Sequence, residues 1–195
     1  MPIDIGWTGI ISGTDNGDAV ETKLTNTFQE IEDTLNALFN LAEHGILLAT
    51  SSSSNQLPTG LGAANSIQVE FGAAQSTTEV SVDVNGNVTF HEAGTYSIRF
   101  AAHFGRTGGT GTSLLAFRAL LNDVQYGDPQ MSKLDNADML LAWADIYTIQ
   151  ANVNDVMKGE LMRVLGSNDS GGLYATDTTE WGTAKSASIQ IYKVG

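Results

Sequence analysis

The sequence contains no cysteine, which excludes a disulfide framework, a thiolate metal site and a cysteine nucleophile. Basic residues are also scarce, because nine Lys and Arg stand against 22 Asp and Glu, for a net charge of −13. Nucleic-acid binders and anionic-membrane binders need clustered cations, so we expect neither kind of partner. Only 16% of the residues are charged while 21 are glycine, a composition typical of an all-β protein rich in turns.

Long hydrophobic runs are missing as well. Apolar stretches such as residues 45–49 are far shorter than the roughly 20 residues that a membrane helix needs. The first residues, MPID, have neither the basic nor the apolar part of a targeting segment. We therefore expect a soluble protein that is made in a cytoplasm and does not insert into membranes.

Few residues are suited to catalysis or metal binding. The three histidines, His44, His91 and His103, have no zinc-site spacing. No serine lies in a nucleophile elbow, and the Gly-rich residues 105–111, GRTGGTG, lack the lysine of a phosphate-binding loop. Among 22 acids, pairs of carboxylates are expected by chance, so they are weak evidence for glycoside hydrolysis. We predict no enzyme activity, cofactor or metal.

One segment has a clear helical repeat. Over residues 18–43 apolar side chains recur at spacings of three and four, close to the seam of a coiled coil. Asp18 and Glu21 form a capping-box pattern at its start, and Gly45 follows its end. Because the apolar stripe is narrow, residues 18–45 are predicted to form a short multi-chain coiled coil rather than a helix that lies on a sheet, and the resemblances described below imply that it is a trimerising helix. Its seam residues are Leu24, Phe28, Ile31, Leu35 and Leu38.

Residues 1–17, before the helix, form a Gly- and Asp-rich arm with scattered large apolar side chains. These side chains would be unfavourable in water unless they are covered. The arm therefore either docks onto a partner or folds back on its own domain, and the sequence leaves both open. The candidate docking residues are Ile3, Ile5, Trp7, Ile10 and Ile11.

The rest of the chain changes from a Ser- and Gly-rich stretch to alternation of period two. We expect residues 46–65 to form a linker and residues 66–195 to form a β-sandwich of about eight short strands. Two large aromatics, Tyr174 and Trp181, flank a polar loop of this domain. They either stack on a sugar or pack onto their own sheet.

The alternating region resembles the TNF-like jelly-roll family, which includes the complement recognition head. The resemblance rests on residues 87–90, NVTF, followed by residues 94–98, GTYSI, and on the closing strand at 188–191, SIQI. Residues 153–156, VNDV, stand where the family commonly has a Gly-Asp turn, and here the glycine is missing. The resemblance covers about residues 66–195 and implies a jelly-roll head that forms a homotrimer.

The N-terminal part is similar to a segment of bacteriophage fibre and appendage proteins. The similarity lies in residues 17–20, GDAV, 27–31, TFQEI, and 38–40, LFN. It implies a virion structural protein with a docking segment, a trimeric neck and a β-rich head. The expected role is capsid decoration, a head fibre or a short tail fibre. The expected partners are other copies of the chain, capsid or tail proteins, and a host-surface glycan.

Two other interpretations stay open at this stage. The chain could be a free trimeric binding module of bacterial origin, in which case residues 1–17 would be dispensable. It could also be a glycan-degrading enzyme, in which case replacing one acid pair would abolish depolymerisation of a polysaccharide.

The helical repeat leads to a first prediction. Replacing both Ile31 and Leu35 with Asp puts like charges into the seam, so the neck should separate and the solution mass should fall below that of a trimer. Light scattering on the purified chain measures this mass. An unchanged mass would contradict the coiled-coil neck.

Overall fold

The computed structural model describes Asn26 and residues 28–31, 46–106, 108, 110–135 and 140–194. The chain divides into two units, Met1–His44 and Gly45–Gly195. In the first unit, Asn26 and residues 28–31 are helical, inside the segment expected to form the trimerising helix. The bounds of that helix and its role in a trimer lie outside the described residues and stay a prediction.

The described part of the second unit consists of strands and one short 3-10 helix, at Ala63–Asn65. The strands are β1 (Ile46–Ser52), β2 (Ile67–Gln68), β3 (Gln75–Ser76), β4 (Val80–Val82), β5 (Val88–Phe90), β6 (Gly94–Gly105), β7 (Ser113–Leu121), β8 (Val124–Leu134), β9 (Leu140–Ala151), β10 (Val156–Arg163), β11 (Gly172–Leu173), β12 (Thr176–Asp177), β13 (Thr183–Ala184) and β14 (Ala187–Lys193).

These strands form two antiparallel sheets and a small hairpin. The first sheet has the order β1-β14-β6-β9, and β11 pairs with the end of β6 beyond β14. The second has the order β3-β4-β5-β10-β7-β8, and β2 also pairs with β10. Strands β5 and β6, β6 and β7, β8 and β9, and β9 and β10 lie in opposite sheets, so the chain winds between them as a double Greek key. This strand order confirms the expected jelly roll.

The core lies between the two sheets, and strict alternation along β6 builds much of it. Its side chains at Tyr96, Ile98, Phe100 and Phe104 point inward and are buried. The Phe100 ring lies 5.4 Å from the ring of Phe117 on β7, between centroids, so it joins the first sheet to the second. Phe100 also contacts the rings of Phe71 and Tyr147, at 5.5 and 5.7 Å.

Two turns use asparagine in the left-handed region. Asn122 and Asp123 have φ of 51° and 64°, and they join β7 to β8. Asn154 has φ of 69°, in the turn where the TNF-like pattern has a glycine, and asparagine tolerates this conformation better than most residues. The Asp155 carboxylate accepts hydrogen bonds from the Asn152 amide and the Asn122 side chain, which lower its pKa.

The segment expected to form a linker belongs to the sandwich instead. Residues 46–52 form β1, which pairs with β14 and buries Leu48 in the core. Thr50 is also buried, and its hydroxyl donates to the Phe71 carbonyl at 2.9 Å. Further along, Gln56 forms a bridge with Leu173. Some inward positions of β1 hold hydroxyl side chains. The Ser-rich sequence therefore lacks the apolar alternation by which a core strand is recognised.

Strand β8 was also absent from the expectation drawn from the sequence. It contains Gly127 and Pro129, two residues that are disfavoured inside sheets. Strand β8 tolerates them because it lies at the edge of its sheet, paired only with β7. A proline on an edge strand removes a donor that would otherwise be open to another chain.

The place of β1 in the core can be tested by one substitution. Leu48→Ala should lower the free energy of unfolding by about 2 to 5 kcal/mol, because it removes a buried side chain and leaves a cavity. Ala49→Ser, on the exposed side of the same strand, is the control and should change it little. Denaturant unfolding followed by circular dichroism measures both variants. Equal stability of the two would mean that β1 is not a core strand.

Candidate functional site

The first sheet has one face that does not contact the second sheet, which we call the outer face. On β6 the outward positions are Ser97, Arg99, Ala101 and His103. Residues that pair across neighbouring strands point to the same side of a sheet. Ala101 pairs with Ser188 on β14 and with Ala144 on β9, so the outer face extends over all three strands. None of the outward residues of the four paired strands is acidic, although the chain has 22 acids. Other outward residues are Ala49, Ser51, Gln190, Tyr192, Leu140, Ala142, Ile146, Thr148 and Gln150.

A trough of about 450 Å³ lies on this face. Half of its lining residues are alanines, so methyl groups supply apolar surface at its floor. Three cationic or titratable side chains line it: Arg99, His103 and Lys185. We call this feature the basic trough. Its other lining residues are Ala101, Ala102, Ala142, Trp143, Ala144, Ala184 and Ser188.

The cations of the basic trough are not neutralised within the described part of the chain. The Arg99 guanidinium donates to the Gln190 side-chain oxygen at 3.3 Å, which is a neutral partner. Neither Arg99 nor Lys185 forms an ion pair with a described residue. The buried Nδ1 of His103 has no hydrogen-bond partner among the described residues. The trough therefore presents the positive charges of Arg99 and Lys185 on a chain that is otherwise strongly acidic.

A short hairpin stands next to the trough. Among the described strands, β12 and β13 pair only with each other, and the Trp181 side chain between them is 94% exposed. The turn is held locally, because the Thr179 amide donates to the Asp177 carboxylate at 2.9 Å and the Thr178 amide donates to the Gly182 carbonyl at 3.0 Å. Residues 176–183, which we call the Trp181 hairpin, thus present an indole on an ordered support.

The two aromatics predicted to face a ligand lie in different surroundings. Trp181 is on the surface, as a ligand-facing residue must be, but what it contacts stays a prediction. Tyr174 is half-buried, and its amide donates to the His103 carbonyl at 3.0 Å. Its ring packs against Gly105 so closely that a Cβ there would lie 2.9 Å from the ring. The structure does not join the two aromatics into one stacking platform.

At one end of the sandwich, a buried guanidinium joins the loop between β6 and β7 to the end of β8. Arg106 is 1% exposed, and it donates to the carbonyls of Gly108, Gly111 and Leu134. Its Nη2 has no partner among the described residues. The loop around Asn168 joins the same end through the carbonyl of Thr110. Sequence analysis missed Arg106, because nothing in its local pattern distinguishes it from a surface arginine.

The open edge between β8 and β9 is aromatic and partly apolar. The Tyr126 hydroxyl donates to the Thr148 carbonyl at 2.8 Å and links the two strands. Burial raises the pKa of the Tyr147 hydroxyl, which has no hydrogen-bond partner among the described residues. Ile146 and Met131 expose 61% and 65% of their surface on these strands. The two side chains lie on different sheets and point away from each other, so they do not form one apolar patch.

Most of the residues predicted to mediate docking or trimerisation cannot be placed. Of the seam residues, Phe28 and Ile31 are helical, and Phe28 is 67% exposed. The remaining predicted residues lie outside the described part of the chain: Ile3, Ile5, Trp7, Ile10, Ile11, Leu24, Leu35 and Leu38.

Searches for two other kinds of feature cover the described residues only. No group of three or more His, Asp or Glu side chains there could hold a metal ion. His91 instead contacts the Ser81 hydroxyl at 2.9 Å. No helix among those residues is both long and apolar enough to cross a membrane.

No family model matches the sequence, and no curated protein matches it. Among solved structures, the chain is similar to the Eiger TNF of S. frugiperda, with a TM-score of 0.42 and 10% identity over 77% of this chain and 94% of that one. It is also similar to the globular domain of the zebrafish complement 1qA protein, with a TM-score of 0.40 and 12% identity over 76% and 94%. Neither likeness carries an argument about function, and the jelly-roll assignment rests on the strand order.

Proposed function

We propose that the chain is a non-enzymatic structural protein of a tailed-bacteriophage particle. It forms a homotrimeric surface appendage, either a capsid decoration or head fibre or a short tail fibre. Residues 1–17 dock it to a capsid or tail protein, residues 18–45 form the neck, and the jelly-roll head projects outward to attach to the host surface. The acid-free outer face is the observation that carries the self-association.

Electrostatics explains why this face matters. Each copy carries a net charge of −13, so two copies repel each other over most of their surfaces. Copies approach most readily where a surface lacks acidic side chains or offers cations to them, and the outer face meets both conditions. Ala101, Ala142 and Ala144 also let backbones come near each other, because their side chains are short. Ile146 adds exposed apolar area to the same face.

Three copies follow from combining this face with the neck. The helical repeat of residues 18–43 brings parallel chains together, and the resemblance to TNF-like heads favours a closed threefold ring. Cyclic closure leaves no unpaired face and prevents growth into filaments. Three heads on one neck also turn weak single contacts with a host surface into useful binding, through the raised effective concentration of the second and third sites.

The virion role draws its support from the order of the segments. An apolar arm, a helix with a seam and a β-rich head follow one another as in bacteriophage appendages, and residues 17–20, 27–31 and 38–40 resemble those proteins. The arm holds five large apolar side chains within its 17 residues, which need a partner surface to cover them.

Self-association through the outer face can be tested with a single charge. The unmodified chain should have a solution mass near three times 20.6 kDa by light scattering. Ala144→Glu should lower the mass, because it puts an unpaired negative charge into a surface that an acidic neighbouring copy would cover. Thr89→Glu adds the same charge to the outward side of β5 in the second sheet and should leave the trimer intact. A monomeric unmodified chain, or a trimeric Ala144→Glu variant, would contradict the proposal.

Docking by the arm can be tested separately. A chain without residues 1–17 should still fold and form a trimer, but it should no longer be incorporated into phage particles. Immunoblotting of purified particles measures incorporation, and the Thr89→Glu variant with an intact arm serves as the control. Normal incorporation of the shortened chain would show that the arm does not dock.

A further inference from the structure

We propose that the Trp181 hairpin of one copy occupies the basic trough of a second copy of this chain. The inference deepens the proposed function and rests on it, since it names the side chains that join neighbouring heads in the trimer. Each copy carries one hairpin and one trough, so each donates one and receives one. Such a head-to-tail contact closes into a ring when the rotation between copies fits a whole number of copies.

The charges of the two features are complementary. The hairpin carries Asp177 and Glu180 on either side of its turn, and both are exposed. Neither of them forms an ion pair with a described residue of the same copy. The trough offers Arg99, His103 and Lys185, which are likewise without an acidic partner there. Bringing the hairpin and the trough together pairs charges that each copy leaves unpaired.

The shapes and surfaces of the two features also agree. The trough measures about 450 Å³, within the usual range of roughly 300 to 1,000 Å³ for pockets that hold an organic group. Its floor of Ala101, Ala142 and Ala144 methyl groups gives an apolar base against which an indole can lie flat. A tryptophan buries about 150 to 250 Å² when it is covered, so Trp181 can act as the central anchor of such a contact.

The geometry of a single copy favours a partner's trough over its own. Ala184 and Lys185, at the base of the hairpin, line the trough of the same copy. Trp181 is only four residues before Lys185 along the chain, and its side chain is 94% exposed. The hairpin therefore leaves its own trough open, and both the indole and the trough remain available to a neighbouring copy.

Cross-linking of introduced cysteines provides the direct test. The native chain has no cysteine, so the reagent reacts only at the introduced positions. Two singly substituted chains, Thr183→Cys and Ala142→Cys, are mixed and assembled together, then treated with a short bis-maleimide. The expected product is a covalent dimer containing one chain of each kind, which mass spectrometry identifies from the joined peptides. The control mixture pairs Thr183→Cys with Thr89→Cys on the second sheet and should give no mixed dimer.

The cross-linking result and the solution mass together separate this inference from the proposed function. A trimeric mass without the mixed dimer would overturn the hairpin contact and leave the homotrimer standing. A monomeric mass for the unmodified chain would overturn both. A mixed dimer in the test mixture and none in the control would support the inference.

Substitution at the anchor gives an independent measurement. Trp181→Ala should raise the dissociation constant of the trimer by on the order of 30-fold, as for a central aromatic anchor, while Trp181→Phe should retain most of the affinity. Glu180→Lys alone and Lys185→Glu alone should each weaken the trimer. The double variant exchanges the two charges and should regain part of the lost affinity. If Trp181→Ala left the trimer unchanged and abolished binding of a host-surface polysaccharide, the indole would face a glycan and the inference would be wrong.

Discussion

The alternation of side chains along β6 is the constraint on which both the core and the candidate site depend. Its inward residues, such as Ile98 and Phe100, fill the space between the sheets, and Phe100 contacts Phe117 across it. Its outward residues, such as Arg99 and His103, line the basic trough. A shift of register by one residue would exchange these two sets, so the packing of the core also fixes which charges the surface presents.

Charge distribution connects the fold to the proposed assembly. A net charge of −13 opposes association of like copies, yet the outer face carries Arg99 and His103 and no acidic residue. The acids are on other surfaces, among them the Trp181 hairpin with Asp177 and Glu180. Attraction between an acidic projection and a basic recess on the same molecule is one way in which a highly charged protein can join its own copies.

Much of the sandwich could be predicted from the sequence, because strands such as β6 and β14 alternate between apolar inward and mostly polar outward residues. Strand β1 could not, since Thr50 fills an inward position with a hydroxyl group that the fold satisfies through a distant carbonyl. Strand β8 could not be predicted because it contains Pro129, a residue that sheets tolerate at their edges. The basic trough could not be predicted either, because Arg99 and Lys185 are far apart in sequence and only the strand register brings them together.

The buried Arg106 has a consequence for how the loops at its end of the sandwich can vary. Its guanidinium donates to main-chain carbonyls at Gly108, Gly111 and Leu134, and every amino acid carries such a carbonyl. Positive φ restricts Gly108 and Gly111, but the side chain of Thr110 between them is not used in these contacts. Substitutions at such positions can therefore accumulate without dismantling the anchor. This end of the head is suited to sequence diversification, and to the grafting of foreign peptides, on a constant framework.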